Sequence, residues 1–249
     1  MIRRLKGVQI LNCMVVIVIA LCAALSSNIS LALADEKEAA KPAPDWRAIF
    51  QLHYAQRVDE FRHENELFQN VILVGDSITE GFDVAKYLPG RRVINRGIGA
   101  DVIGNDLPKD DKRGVLKRID ESFFNVPATD AFLLIGINDL GDNHTPDQIE
   151  AGYREILEKV KKGAPRLKVH VQSLLPTRGN YTKHKANIND INERLQKLAK
   201  EFGYDFIDLH SLMTDDKGDL KQELTADGLH INADGYKIWK AEVERTLHW

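Results

Sequence analysis

Short apolar runs alternate with longer amphipathic stretches along most of this chain of 249 residues. Five of the runs have the length and the aliphatic character of buried strands. They are VILVG (71–75), RVIN (92–95), AFLLIG (131–136), LKVHVQS (167–173) and YDFIDL (204–209). Strands that alternate with helices indicate right-handed crossovers and a parallel sheet that helices cover on both faces. The pattern therefore predicts a single α/β domain.

Apolar residues spaced by three or four positions predict four helices around these strands. The first begins at Trp46. The second opens with TPDQ (145–148), a capping box with proline at the first helical position, and runs to Gly163. The third stops at Gly203, and the last follows Asn232.

The first 34 residues have the pattern of a targeting segment. A basic start is followed by an apolar core at 10–25, and LALA (31–34) ends in an A-x-A motif. This predicts a signal peptide cleaved after Ala34 and an exported, periplasmic or secreted protein. The alternative is an uncleaved membrane anchor, for which the apolar core is short. A flexible leader (35–45) and one domain (46–249) complete the predicted organisation.

Charge and cysteine content narrow the function classes. The net charge of −3 falls to −6 when Arg3, Arg4 and Lys6 leave with the predicted signal peptide. Without a basic excess to neutralise phosphates, we do not expect a nucleic-acid partner. Both cysteines, Cys13 and Cys22, lie in the same segment, so the mature chain is expected to contain no disulfide and no cysteine metal ligand. A chain without cysteine suits an oxidising compartment.

Four polar clusters carry the candidate chemistry, and the first three directly follow predicted strands. They are GDS (75–77), NRGIGAD (95–101), GINDLGD (136–142) and TADGLHIN (225–232). In an open parallel sheet, binding sites lie at the carboxyl ends of the strands. Taken one at a time, the clusters also have ordinary explanations as a helix cap, a tight turn, a turn asparagine and a surface histidine.

Together the clusters supply the groups that acyl transfer requires. Ser77 is a candidate nucleophile at a helix start, although Asp76 or Ser77 could equally act only as the helix cap. Asp227 and His230 are three positions apart, so one turn can place a carboxylate beside an acid-base histidine. The carboxamide of Asn138 is a candidate donor to an oxyanion.

The order GDS, N-x-G-x-G-x-D, G-x-N-D and D-x-x-H resembles the SGNH (GDSL) hydrolase family over about residues 65–249. GDSITEG, LLIGINDL, VQSLLPT and DGLHIN are most similar to a branch of that family. The branch includes platelet-activating-factor acetylhydrolase subunits, lysophospholipase-like esterases and carbohydrate O-acetylesterases. The resemblance implies a flavodoxin-like three-layer α/β/α sandwich with a five-stranded parallel sheet, and the activity of a serine ester hydrolase.

The resemblance also implies roles for single residues. It makes Ser77 the nucleophile, His230 the general base and Asp227 its partner. The oxyanion hole would use the Ser77 N–H, the N–H of Ala100 and the Asn138 side chain. Ala100 stands where the family has glycine, so the hole is expected to form if the local φ is negative and to suffer if it is positive.

A second departure from the family is an insertion at residues 102–113, VIGNDLPKDDKR, which precedes GVLKRID. We interpret it as a polar segment beside the cleft, either a lid or substrate-selecting loop or a surface loop without a role.

The chain has no long apolar element outside the expected core, and the predicted mature domain is acidic and exported. These features favour short, acetyl-type esters as substrates, on soluble or cell-wall glycans. A lysophospholipase or thioesterase is the enzymatic alternative, and a non-catalytic carbohydrate-binding domain is the alternative from another class. No cofactor is expected. No metal is expected either, because the remaining histidines lack ligand-like spacing such as H-x-x-x-H. These are His53, His63, His144, His170, His184, His210 and His248.

Overall fold

Five short strands form one parallel sheet in the computed structural model, which describes residues 44–64 and 71–249. The strands are β1 (Val71–Gly75), β2 (Val93–Gly97), β3 (Asp130–Leu134), β4 (Lys168–Gln172) and β5 (Asp205–Ile207). All five predicted strands are therefore present. The predicted signal peptide and most of the predicted leader lie outside the described residues.

Eight α-helices are assigned among the described residues. They are α1 (Trp46–Glu64), α2 (Ser77–Glu80), α3 (Val84–Tyr87), α4 (Ile137–Gly141), α5 (Pro146–Gly163), α6 (Lys185–Phe202), α7 (Leu209–Met213) and α8 (Ala233–Leu247). Short 3-10 helices lie at Val115–Arg118, Gly179–His184 and Gln222–Leu224, and a π-helical turn lies at Asp120–Phe124. The four helices predicted from apolar spacing correspond to α1, α5, α6 and α8.

The order of the strands across the sheet is β2-β1-β3-β4-β5. Val71 at the start of β1 pairs with Val93 on one side and Asp130 on the other, and every pairing is parallel. The first strand, β1, thus lies inside the sheet next to the edge strand β2, and the chain continues with β3 on the other side of β1. This is the flavodoxin-like order, and it places the switch point, where such sheets bind ligands, beside the carboxyl end of β1.

Helices flank the sheet as the crossover rule requires. Right-handed connections that lead in opposite directions from β1 place their helices on opposite faces. Accordingly α5 packs against α6, while α3 and α7 pack against α8. The β1 strand is buried at every position, which explains why its sequence is apolar without alternation. The predicted three-layer α/β/α fold is confirmed. No helix within the described ranges has the length and apolar character needed to cross a bilayer.

Local capping chemistry explains where the longer helices begin and end. Thr145 and Gln148 form both halves of a reciprocal capping box at the start of α5. Gly203 ends α6 with φ of +75°, a conformation that glycine adopts without strain. The Asn232 side chain accepts hydrogen bonds from two backbone N–H groups at the start of α8. These boundaries agree with the sequence-based predictions.

The insertion at 102–113 differs from its prediction as a polar segment. Val102 and Ile103 are fully buried, so the segment begins inside the core. Backbone hydrogen bonds from Val115 and Leu116 to the carbonyls of Val102 and Ile103 tie its two ends together. A Cβ at Gly104 would lie 2.8 Å from the Gly114 Cα, which explains why glycines stand at this crossing. Because its ends are anchored, the insertion is part of the packed structure.

Candidate active site

Ser77 lies at the switch point, immediately beyond the carboxyl end of β1. Asp76 is the residue that caps α2, because its Oδ1 accepts a hydrogen bond of 2.9 Å from the Ile78 N–H. Ser77 is therefore the first helical residue, and its hydroxyl is not consumed by capping. The Oγ of Ser77 lies instead 2.9 Å from Nε2 of His230.

His230 connects Ser77 to Asp227 in one hydrogen-bonded line. Nδ1 of His230 lies 2.7 Å from Oδ2 of Asp227. A carboxylate only accepts hydrogen bonds, so Nδ1 carries the proton and Nε2 is left to accept the one from the Ser77 hydroxyl. The order serine, histidine, carboxylate is the geometry by which a serine oxygen is activated as a nucleophile.

The turn that carries Asp227 and His230 is held by its own hydrogen bonds. Oδ1 of Asp227 accepts from the backbone N–H groups of Leu229 and His230, at 2.9 and 2.8 Å. The Thr225 hydroxyl donates to the His230 carbonyl and accepts from the Gly228 N–H, both at 2.8 Å. These hydrogen bonds within the turn hold the imidazole of His230 beside the carboxylate of Asp227.

The environment of Asp227 keeps its carboxyl group ionised. Burial by itself would raise its pKa, but hydrogen bonds from the His230 ring and from two backbone N–H groups hold the pKa below its ordinary value. An ionised carboxylate is what the imidazole needs, because the histidine becomes a cation when it removes the serine proton.

Ala100 has φ of +60°, so the condition of a negative φ is not met. A left-handed conformation costs an L-residue about 1–2 kcal/mol, which the surrounding contacts must offset. The Asp101 N–H donates to the Ile98 carbonyl at 3.1 Å and closes a tight turn around Ala100. Within the described part of the chain, the N–H groups of Ser77 and Ala100 have no protein acceptor.

Asn138 lies on α4, just after the third strand. Its Nδ2 donates a hydrogen bond of 2.8 Å to the Asp101 carbonyl, which joins the third polar cluster to the second. An amide nitrogen carries two hydrogens, so this bond leaves one for a ligand. The structure thus brings parts of all four sequence clusters to neighbouring positions at one edge of the sheet.

The contacts that hold the turn around Ala100 come from residues that sequence reasoning missed. The Glu80 carboxylate accepts a hydrogen bond from the Gly99 N–H and also contacts His53 on α1. Arg113 donates to the Ala100 carbonyl at 2.8 Å. Glu80 could have been found from sequence, because it follows Ser77 by one helical turn. Nothing in the sequence indicated Arg113.

Three buried aspartates lie beneath these contacts. Asp101 receives a two-pronged hydrogen bond from buried Arg118, at 2.9 and 2.7 Å. Asp76 and Asp139 have no such cation among their hydrogen-bond partners, and burial raises the pKa of each to about 7. Among the described residues, no group of three or more histidine, cysteine, aspartate or glutamate side chains is arranged to hold a metal ion.

The family model described as GDSL-like Lipase/Acylhydrolase matches residues 73–238, a range that contains all four polar clusters. The chain belongs to this family. It is an SGNH-type esterase.

Solved structures share the fold of this esterase. A GDSL-like lipase from Bacteroides thetaiotaomicron has a TM-score of 0.66 and 22% identity, with 77% of this chain and 97% of that chain covered. A carbohydrate acetylesterase from Sinorhizobium meliloti has a TM-score of 0.58 and 18% identity, with 72% and 98% covered. At these identities the likeness is one of fold.

A curated relative shares only part of its length with the esterase. An N-acylneuraminate cytidylyltransferase from Escherichia coli O18:K1:H7 is 26% identical over 192 residues, which are 77% of this chain and 43% of that protein. The chain therefore spans less than half the length of this relative.

Proposed function

We propose that the esterase uses Ser77 as nucleophile, His230 as general base and Asp227 as the group that orients and stabilises the imidazole. The observation that carries this proposal is the hydrogen-bonded line from Ser77 through His230 to Asp227. In the first step His230 takes the Ser77 proton while the Ser77 oxygen bonds to the ester carbon. The tetrahedral intermediate then collapses, and the departing alcohol takes the proton from His230.

The second step releases the acyl group. A water molecule gives a proton to His230 and its oxygen bonds to the acyl carbon. The bond from that carbon to Ser77 breaks, and the proton returns to the serine oxygen. In both steps the N–H groups of Ser77 and Ala100 and the second amide hydrogen of Asn138 stabilise the oxyanion. Two structural features support these roles. Neither backbone N–H has an acceptor among the residues that the structure describes, and Asn138 contacts the turn around Ala100.

We propose a short acyl group, of the acetyl type, as the one transferred to Ser77. A small, partly enclosed cavity is lined by residues next to Ser77 and His230 in the chain, and it has room for a group of about the size of a water molecule. Six apolar residues contribute to its lining, namely Ile78, Leu134, Ile137, Leu174, Leu175 and Leu229. Space of this size suits a methyl group and does not hold a long acyl chain.

We propose O-acetylated carbohydrates as the natural substrates. The acidic, predicted-exported chain and the small cavity support this, as does the fold shared with a carbohydrate acetylesterase. The cytidylyltransferase relative is named for a sugar substrate too, although this chain covers less than half of it. The alternatives are long-chain lysophospholipids or thioesters, and binding of carbohydrate without catalysis.

Chain-length dependence tests the proposal directly. The purified protein should hydrolyse p-nitrophenyl acetate with a kcat/KM at least about ten-fold above that for the octanoate, because the longer chain exceeds the cavity. A Ser77→Ala variant of equal thermal stability should show no burst of p-nitrophenolate in the first turnover. Faster octanoate hydrolysis would favour a lipid substrate. Full activity of Ser77→Ala would contradict the assignment of the nucleophile.

Measurements on natural-type substrates separate the remaining alternatives. Release of acetate from O-acetylated oligosaccharides should depend on Ser77. If a fluorophosphonate reagent does not label Ser77 and the protein still binds the same sugars, it is a binding domain. Export is tested separately, since cleavage of the predicted signal peptide would leave Asp35 as the first residue of the mature protein.

A further inference from the structure

Arg113, the last residue of the insertion, contacts one residue of the insertion and one residue in each of two other segments. Its Nη1 donates to the Ala100 carbonyl at 2.8 Å, and its Nη2 lies 2.9 Å from both Asp111 Oδ2 and Asp142 Oδ2. The Arg113 side chain is 14% exposed and that of Asp111 is 5% exposed. The planar guanidinium presents several donors in a fixed geometry, so one side chain can hold all three partners at once.

Two of these partners belong to the segments that carry the proposed oxyanion donors. Ala100 contributes its own N–H. Asp142 directly follows α4, and its backbone N–H donates to the Asn138 carbonyl at 2.8 Å. Asn138 in turn donates to the Asp101 carbonyl. Arg113 therefore closes a ring of contacts that runs from Ala100 through Asp101, Asn138 and Asp142.

The peptide groups on both sides of the Ala100 N–H are held in place. The peptide before it has its N–H, from Gly99, bonded to Glu80. The peptide after it is bonded at both ends, since the Ala100 carbonyl accepts from Arg113 and the Asp101 N–H donates to Ile98. The remaining peptide, which carries the Ala100 N–H, has little freedom to rotate. The Arg113 bond thus helps to maintain a φ of +60° that alanine adopts only at a cost.

We propose that Arg113 is a positioning residue that keeps the Ala100 N–H and the Asn138 amide aimed at the oxyanion. The inference rests on the proposed function and gives a role to the insertion. Glycine, the residue that the family resemblance implies at this position, adopts a left-handed conformation without strain. In this chain alanine occupies that place, and the guanidinium from the insertion supplies the restraint that the alanine turn needs.

Substitution of Arg113 tests the proposal with p-nitrophenyl acetate. Arg113→Gln should lower kcat by about ten-fold or more while KM stays within about twofold, because the loss falls on a transition-state interaction. Arg113→Lys, which keeps one donor, should lose less. Lys112→Gln is the matched control, since it removes the same charge from the exposed neighbouring side chain and should change neither constant. Rates are expressed per fluorophosphonate-reactive site, so that unfolded protein is not counted.

Ala100→Gly distinguishes positioning from a general structural role. Glycine reaches φ of +60° without strain, so the loss caused by Arg113→Gln should be at least about threefold smaller in the Ala100→Gly background. Equal losses in both backgrounds, or a kcat for Arg113→Gln within twofold of wild type, would overturn the inference and leave the proposed function intact. Wild-type protein that hydrolyses no ester would overturn both.

Discussion

At the scale of single residues, the site combines one local arrangement with one distant contact. Asp227 and His230 are aligned by hydrogen bonds within residues 225–231, and the Gly228 carbonyl of the same turn accepts a hydrogen bond from the Arg178 N–H. Ser77 is 153 positions away from His230 in the chain and meets it only in the folded protein. The capping role that competed for Ser77 belongs to Asp76, so the two explanations of the GDS cluster apply to adjacent residues.

Asn138 gives a prediction at this scale. Asn138→Ala removes one proposed oxyanion donor and the bond to the Asp101 carbonyl, and it should lower kcat by about two to three orders of magnitude. Asn187→Ala, at an exposed position on α6, is the control and should leave kcat unchanged. Steady-state hydrolysis of p-nitrophenyl acetate provides the measurement. A kcat for Asn138→Ala within threefold of wild type would remove this residue from the oxyanion hole.

At the scale of elements, short-range chemistry accounts for most boundaries, and the insertion is the exception. The 102–113 segment has no helix or strand, yet its first two residues are buried, and their carbonyls accept hydrogen bonds from Val115 and Leu116, just beyond its last residue. After it, Val115–Arg118 forms a 3-10 helix and Asp120–Phe124 a π-helical turn. Within these turns Arg118 is fully buried and bonded to Asp101, so tertiary contacts decide the local geometry.

The capping box of α5 provides a prediction for an element. Thr145→Ala removes the oxygen that accepts from the Gln148 N–H, and it should lower the free energy of unfolding by about 1 kcal/mol. For a domain of this size that corresponds to a decrease in Tm of about 2–4 °C. Thr145→Ser keeps the hydroxyl and should remain close to wild type. The hydrogen bonds of Thr145 in the described structure go to Gln148 and Ile149 and to none of the proposed catalytic residues, so kcat should not change in either variant. Identical Tm values for both variants would show that the cap contributes nothing.

At the scale of the whole molecule, buried carboxyl groups lie near the switch point of the sheet, where their ionisation reduces the stability of the fold. Asp76 and Asp139 are both inaccessible to solvent, and burial raises the pKa of each to about 7. Asp139 nevertheless has a structural role, because its carboxylate accepts the Ile103 N–H at 3.1 Å and so anchors the start of the insertion. The buried Asp139 carboxylate thus lowers the free energy of unfolding at neutral pH, while its hydrogen bond holds the insertion against α4.

The raised pKa of Asp139 predicts a specific pH dependence of stability. The folded-state pKa is about 7, against an ordinary value of 3.8. The carboxyl therefore does not reduce the free energy of unfolding below pH 3.8, reduces it increasingly between pH 3.8 and 7, and reduces it by the full amount above pH 7. Asp139→Asn keeps an acceptor for Ile103 without the charge. The free energy of unfolding of this variant relative to wild type should therefore be higher at pH 8 than at pH 5, by about 1 kcal/mol or more. This corresponds to an increase of about 2–4 °C in the relative Tm.

Comparison of the two proteins at each pH cancels the titrating groups that do not interact with Asp139. Asp76 does interact, because the charge of Asp139 helps to raise its pKa, so loss of that charge also makes Asp76 easier to ionise and acts in the same direction. Asp234→Asn, an exposed change at the start of α8, is the control and should give nearly the same relative Tm at both pH values. A relative Tm of Asp139→Asn that does not increase between pH 5 and pH 8 would show that the folded carboxyl ionises without cost.

Much of this architecture could be predicted from the chain because its causes are local. Aliphatic runs of strand length, helical spacing of apolar residues and capping motifs at Thr145, Gly203 and Asn232 depend on near neighbours. The alternation of the elements then restricts the sheet to a parallel arrangement, and the order of the polar clusters indicates acyl-transfer chemistry. The pairing of Asp227 with His230 was predictable for the same reason, since a single turn contains both.

What the sequence by itself determined is therefore the set of elements, the class of fold and the residue types of the site. Only the tertiary structure decided that Ser77 meets His230, that Ala100 has a positive φ, and that Arg113 holds its carbonyl. The physical reason is that these features depend on contacts between segments distant in the chain. A backbone angle of one alanine is set by the balance of those contacts against local strain, and no pattern of neighbouring residues specifies that balance.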